Sequence, residues 1–147
     1  MTNKIKDQIF LGLQILIFVA FVLPLDWGSY DLAKDYVILF RLFSFIGLSF
    51  TLLAIISFDY LISPFPSPKT KTKLKTNGVY RWSRHPIYSG LILFLFAWAS
   101  SNGNYYQLFI AGVFLLFIYQ KARYEEQLLI KKFKAYKQYK KQTRMFL

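Results

Sequence analysis

Four apolar runs separated by short polar segments organise the chain. Residues 8–25 form 18 consecutive positions without a charge, enough at about 1.5 Å per residue to cross most of a roughly 30 Å hydrocarbon layer. Residues 36–58 make a longer run interrupted only by Arg41, close enough to the run's start for its head to reach the interface and act as an anchor. Residues 86–101 and 105–121 are shorter and flank Ser101-Asn102-Gly103-Asn104, a turn signal that predicts a tight helical hairpin. At this length the last two helices must tilt, thin the bilayer or run on past its edge. The pattern predicts an all-α integral membrane protein with about four transmembrane helices in a single domain over residues 1–147. A cleaved signal peptide is the competing reading of the first run, but no small-residue cleavage pattern follows before Pro24 and Asp26.

The polar segments add a direction. Of the 19 basic residues, two precede the first run, one lies in residues 26–35, six in 59–86 and nine after residue 120; Arg41 completes the set. Four crossings put every basic-rich segment on one side, so both termini are expected to be cytoplasmic. Residues 63–68, Ser-Pro-Phe-Pro-Ser-Pro, cannot be helical and predict a stiff connector. Residues 122–142 read as an amphipathic cytosolic helix, with Leu129, Phe133 and Tyr136 on one face and Lys131, Lys134, Lys137 and Lys141 elsewhere.

Composition narrows the chemistry. With no cysteine, thiolate metal sites, disulfides and a thiol nucleophile are excluded, and no metal site is expected. A doubly wound nucleotide-binding sheet needs a Gly-rich phosphate loop that the chain lacks. The net charge of +12 beside such apolar runs points to membrane lipids rather than nucleic acid.

Two polar clusters stand out: residues 77–90, which hold the sole His and open the third run, and Arg123-Tyr124-Glu125-Glu126, which hold both Glu residues. A hairpin that leaves and returns to one face brings them together, so His85 and the Glu pair should flank one cleft. Pro86 at the start of a helix leaves the next N–H groups open to a carboxylate or phosphate. Glu125 and Glu126 would attract an ammonium, a sulfonium or ribose hydroxyls, and Tyr80 and Tyr88 add ring surface. The plainer readings are a helix-end histidine, Glu residues paired with Arg123 or Lys121, and interfacial belt aromatics.

The run G-V-Y-R-W-S-R-H-P-I-Y-S-G at 78–90, followed by E-E-x-x-L-x-x-x-F-x-x-Y-x-x-Y-x-x-x-T-x-x-F from Glu125 to Phe146, resembles the isoprenylcysteine carboxyl methyltransferase and phospholipid methyltransferase family. The resemblance covers residues 72–147. It implies an integral membrane enzyme that holds S-adenosylmethionine near the cytosolic face in its C-terminal half and methylates a lipophilic acceptor. By position it implies cofactor contacts from Thr72, Lys73, Leu74, Lys75, Gly78, Tyr80, His85, Pro86, Ile87, Tyr88, Glu125 and Glu126. It also implies catalytic roles for His85, Glu125 and Glu126, and acceptor contacts from Lys121 or Arg123. The alternatives are a nicotinamide-dependent membrane reductase and a non-enzymatic lipid-binding membrane protein.

Overall fold

The computed structural model of the chain describes residues 3–57, 63–68 and 73–147. Among them the regular elements are all helical: α1 (Asn3–Val22), α2 (Lys34–Ser57), a 3-10 turn (Gly78–Arg81), α3 (Pro86–Ser101), α4 (Tyr105–Lys132) and α5 (Tyr136–Gln142). Only two isolated bridges, Ser29 with Asn104 and Ser83 with Arg144, have strand geometry. The long helices lie in the order α1, α4, α3, α2, with the most extensive packing between α2 and α3.

Two of these helices, α1 and α2, are long and apolar enough to cross a membrane, and α3 is a shorter apolar helix. Only 11% and 22% of their apolar windows are buried, whereas the core helix of a water-soluble protein buries most of its apolar face. Leu16, Phe45 and Leu116 stand more than 60% exposed, and such outward apolar surface fits lipid rather than water.

The α2–α3 contact is close because α2 buries only small side chains, Ser44, Gly47, Thr51 and Ala54, a spacing that lets helix backbones approach. Gly90 of α3 faces this stripe. A Cβ there would sit 2.6 Å from the Gly47 carbonyl oxygen and 2.9 Å from the Thr51 amide, and would also strike the Thr51 hydroxyl. Gly90→Ala is therefore expected to destabilise the protein by about 1–3 kcal/mol through overpacking. Thermal unfolding in detergent checks this, and an unchanged midpoint would mean the helices part freely.

The hairpin forms where the turn signal stands. Gly103 takes a φ of +62°, a left-handed position with backbone of Tyr30 against it that leaves no space for a Cβ. The Asn104 side chain caps α4 by accepting from the Gln107 amide at 2.9 Å. The connector before α2 ties to this same tip, with the Tyr30 amide donating to the Gly103 carbonyl at 2.8 Å and the Tyr105 amide to the Gly28 carbonyl at 3.2 Å. One end of the molecule thus carries the 26–35 connector and the hairpin turn. The opposite end gathers the 63–68 connector, the 73–85 segment and the C-terminal region.

The expectation of one amphipathic helix over residues 122–142 is corrected. Residues up to Lys132 continue α4 without a break, Phe133 leaves the helix in an extended conformation, and α5 is a separate short helix. Phe133 lines the cavity described below together with Lys121, Glu125 and Leu129 of α4. The first helix also begins earlier than the apolar run and stops before Pro24, consistent with proline's exclusion from helix interiors.

Candidate functional site

The polar end of the hairpin is held by the Ser83–Pro86 segment. Pro86 opens α3 with its ring preset for a helix and no N–H to lose. His85 precedes it as the capping residue, but its side chain makes no capping bond. The Ile87 and Tyr88 amides, in the first turn, therefore have no acceptor within the helix. Ser83 and Ser89 are buried and share a hydrogen bond at 3.2 Å, and the Ser83 hydroxyl donates to the Met145 carbonyl at 2.9 Å.

This segment is clasped by the C-terminus. The Arg84 amide donates to the Arg144 carbonyl at 2.9 Å and the His85 amide to the Met145 carbonyl at 3.2 Å. The Arg84 guanidinium reaches the Lys140 carbonyl at 3.1 Å and also donates to the Thr143 carbonyl. Its Nε meets Glu126 Oε1 at 2.6 Å, with both side chains almost fully buried. Lys140 Nζ takes the other oxygen of Glu126 at 2.6 Å. Burial alone would raise the Glu126 pKa, but the neighbouring His85, Lys140 and Arg84 side chains, with the Arg84 charge, bring it down to about 2. Glu126 is thus a fixed anion between two cations.

Glu125, one residue earlier, faces another way. It accepts from the Tyr88 hydroxyl at 3.0 Å and lines a cavity of about 200 Å³. His85 lies between the two carboxylates, Nδ1 at 3.8 Å from Glu125 and Nε2 at 3.5 Å from Glu126. These separations are long for hydrogen bonds. The imidazole is 5% exposed, stacks on Tyr88 with centroids 5.3 Å apart, and is flanked by Phe146 at 6.2 Å.

The cavity wall joins distant parts of the chain. Lys73, Leu74, Lys75, Tyr80, His85, Pro86, Ile87, Tyr88 and Glu125 all line it, as does Lys121. Of the other residues singled out in the sequence, Glu126 stands behind the wall in its ion pairs, Gly78 lies in the 3-10 turn away from the lining, and Arg123 is exposed with its guanidinium 5.8 Å from the Tyr119 ring. Arg123 is not drawn to the Glu pair. Thr72 lies outside the described residues.

Of the two candidate acceptor contacts, Lys121 is the one that lines the cavity. It is 1% exposed, donates to the Gln14 side chain at 2.5 Å and the Pro64 carbonyl at 3.0 Å, and lies 5.6 Å from the centre of the Tyr88 ring. Through Lys121 the proline connector and α1 become walls of the same cavity. Nothing in the N-terminal sequence marked Gln14 or Pro64 for that role, because a single amide in an apolar run and a carbonyl in a turn carry no pattern.

Tyr136 and Tyr139 complete the lining, their rings edge to face at 73° with centroids 5.7 Å apart. The Tyr139 hydroxyl donates to the Tyr80 carbonyl at 2.5 Å. Burial pushes the Tyr139 hydroxyl up to about 12 despite the opposing Arg84 charge. Burial, with the nearby Glu125 and Tyr139 as lesser causes, also raises Tyr80 well above the ordinary tyrosine value, so both stay protonated at physiological pH. The spacing of Tyr136 and Tyr139 was visible within the motif, but their place in the cavity lining depends on the chain breaking at Phe133. Among the described residues, no group of three or more His, Asp and Glu side chains could hold a metal ion.

Over residues 1–143 the chain matches the family described as proteins of unknown function, DUF1295. It belongs to that family. No curated protein and no solved structure matches it.

Proposed function

We propose that the protein is an integral membrane enzyme that transfers the methyl group of S-adenosylmethionine to a lipophilic acceptor. One observation carries the reading: a single cavity is lined by the first turn of α3, where a helix leaves its amides unpaired, and by the Glu125 carboxylate, braced by Tyr88. A zwitterionic ligand with an added positive centre suits that pair. The amides at the helix start favour a carboxylate, Glu125 favours an ammonium, a sulfonium or ribose hydroxyls, and the rings of Tyr80, Tyr88 and Tyr139 suit a heterocycle or a soft cation.

When bound, S-adenosylmethionine supplies an electrophilic methyl on sulfur. The acceptor's lone pair forms the new bond to carbon as the carbon–sulfur bond breaks, and that electron pair stays on sulfur, leaving S-adenosylhomocysteine. The chain's own part is alignment and exclusion of water. Glu125 and Tyr88 orient the cofactor, His85 sits at the helix start beside its carboxylate, and the buried clasp keeps these groups fixed.

On this reading α1 to α4 cross the bilayer, both termini and the cavity lie on the cytosolic side, and the acceptor enters laterally from the lipid. The gathering of all the basic-rich segments at one end supports that orientation. Reporter fusions at residues 30 and 103 should report the outside and fusions at 70 and 147 the inside; a reversed signal at 70 overturns the topology.

A second reading draws on Lys73, Lys75 and Lys121, which line the cavity with Glu125 and give it a positive balance once Arg84 is paired with Glu126. That balance suits the phosphates of a nicotinamide cofactor and a reductase activity. Incubation of the purified protein with lipid extract and, in parallel samples, methyl-labelled S-adenosylmethionine or NADPH decides between them. Label in the lipid fraction is expected; unlabelled lipid with oxidation of NADPH would favour the reductase.

His85→Asn keeps a donor near the same place, so cofactor affinity should fall modestly while turnover at saturating cofactor survives. A base that deprotonates an amine, hydroxyl or thiol acceptor cannot be replaced by Asn. A loss of turnover of roughly 10²–10⁴ at unchanged affinity would therefore make His85 the base and rule out a carboxylate acceptor.

A further inference from the structure

Tyr136 is 1% exposed and lines the cavity, yet its hydroxyl is a buried group with no hydrogen-bond partner in the protein. Leaving a buried hydroxyl unsatisfied costs on the order of 1–3 kcal/mol, and two other cavity tyrosines, Tyr88 and Tyr139, avoid that cost. Tyr88 bonds Glu125, and Tyr139 bonds the Tyr80 carbonyl. Phenylalanine would give the same ring packing against Tyr139 without that cost. A tyrosine at this place is therefore explained by a ligand that supplies the missing partner.

We propose that the Tyr136 hydroxyl is a ligand contact that bonds a ribose oxygen of a nucleoside cofactor. The inference rests on the reading of this cavity as a cofactor site, but not on which of the two cofactors fills it, because both carry a ribose. The placement supports a sugar rather than the charged ends. Tyr136 shares the lining with Glu125, whose carboxylate can accept from a sugar hydroxyl. Burial, and next the charge of Glu126, hold the Tyr136 hydroxyl well above the ordinary tyrosine value, so it retains its proton and can donate as well as accept. Arg84 and Lys140 are committed to Glu126.

Tyr136→Phe tests this in the full-length protein in detergent, with S-adenosylhomocysteine and NADPH titrated separately against wild type and variant. The ligand-free variant should melt at the same temperature as wild type or above it, since no internal bond is lost. Affinity for whichever cofactor the wild type binds should fall about 3- to 10-fold, the effect of one neutral hydrogen bond. That loss should vanish when the probe is the corresponding 2′- or 3′-deoxyribose analogue that lacks the contacted hydroxyl. Equal affinity of variant and wild type for both cofactors overturns the contact while leaving the proposed function standing. A lower melting temperature for the ligand-free variant overturns it too, because the hydroxyl would then have a partner inside the protein. A wild type that binds neither cofactor removes the proposed function, and this contact with it.

Discussion

Glu126→Gln is expected to lower the melting temperature of the purified protein by on the order of 10 °C, with a loss of about 3–5 kcal/mol, because it leaves two cations facing a neutral amide in a buried clasp. Arg84 and Lys140 both reach this carboxylate at 2.6 Å. Arg84 also holds the backbone carbonyls of Lys140 and Thr143, so strain on the pair is transmitted to α5 and the tail. The folded protein holds the Glu126 pKa near 2 against an ordinary value of 4.5. A depressed carboxylate stabilises the fold above its unfolded value and loses that contribution as pH falls through the folded one. The gap in melting temperature between wild type and Glu126→Gln should therefore be full at pH 7 and close between about pH 4.5 and 2. A gap that stays constant with pH would show that the carboxylate's charge is not what matters. Lys140→Met should cost much less than Glu126→Gln, since the Lys140 side chain is 44% exposed and Arg84 still neutralises the anion.

This division of labour between adjacent glutamates was only half legible in the sequence. The apolar runs marked all four long helices, and α2 and α3 to within two residues, because hydrophobic length follows directly from the medium each helix must satisfy; α4 runs eleven residues past its apolar run, to Lys132. The Asn-Gly turn placed the hairpin, and the hairpin placed His85 and the Glu pair together. Which glutamate faces the cavity was not legible. On a helix, neighbours point about 100° apart, and the choice was made by Arg84, whose position is set by the tail pairing Arg144 and Met145 with residues 84 and 85. Contacts between segments some sixty residues apart leave no local pattern. The plain salt-bridge reading thus holds for Glu126, but with Arg84 and Lys140 as partners instead of Arg123 or Lys121. The small-residue stripe Ser44, Gly47, Thr51, Ala54 was present as a signal, and its spacing could have predicted the α2–α3 packing.

Glu125→Ala is expected to weaken S-adenosylhomocysteine binding by on the order of 10- to 100-fold while leaving the fold intact, since a charge-assisted hydrogen bond in a partly desolvated cleft contributes about 1.5–3 kcal/mol. Both halves of the expectation follow from its surroundings. The side chain is 26% exposed and lies 3.8 Å from His85, and its close partner among the described residues is the Tyr88 hydroxyl, which can turn to a water once the carboxylate is gone. The ligand-free melting temperature should then change far less than in Glu126→Gln. Tyr88→Phe separates orientation from charge. If Tyr88 only steers the carboxylate, its loss should cost several-fold less affinity than loss of Glu125 itself. Titration calorimetry in detergent with wild type and both variants reads all three. Unchanged affinity in Glu125→Ala would remove the carboxylate from the binding site, and the open amides of α3 with the cavity lysines would then favour a purely anionic ligand.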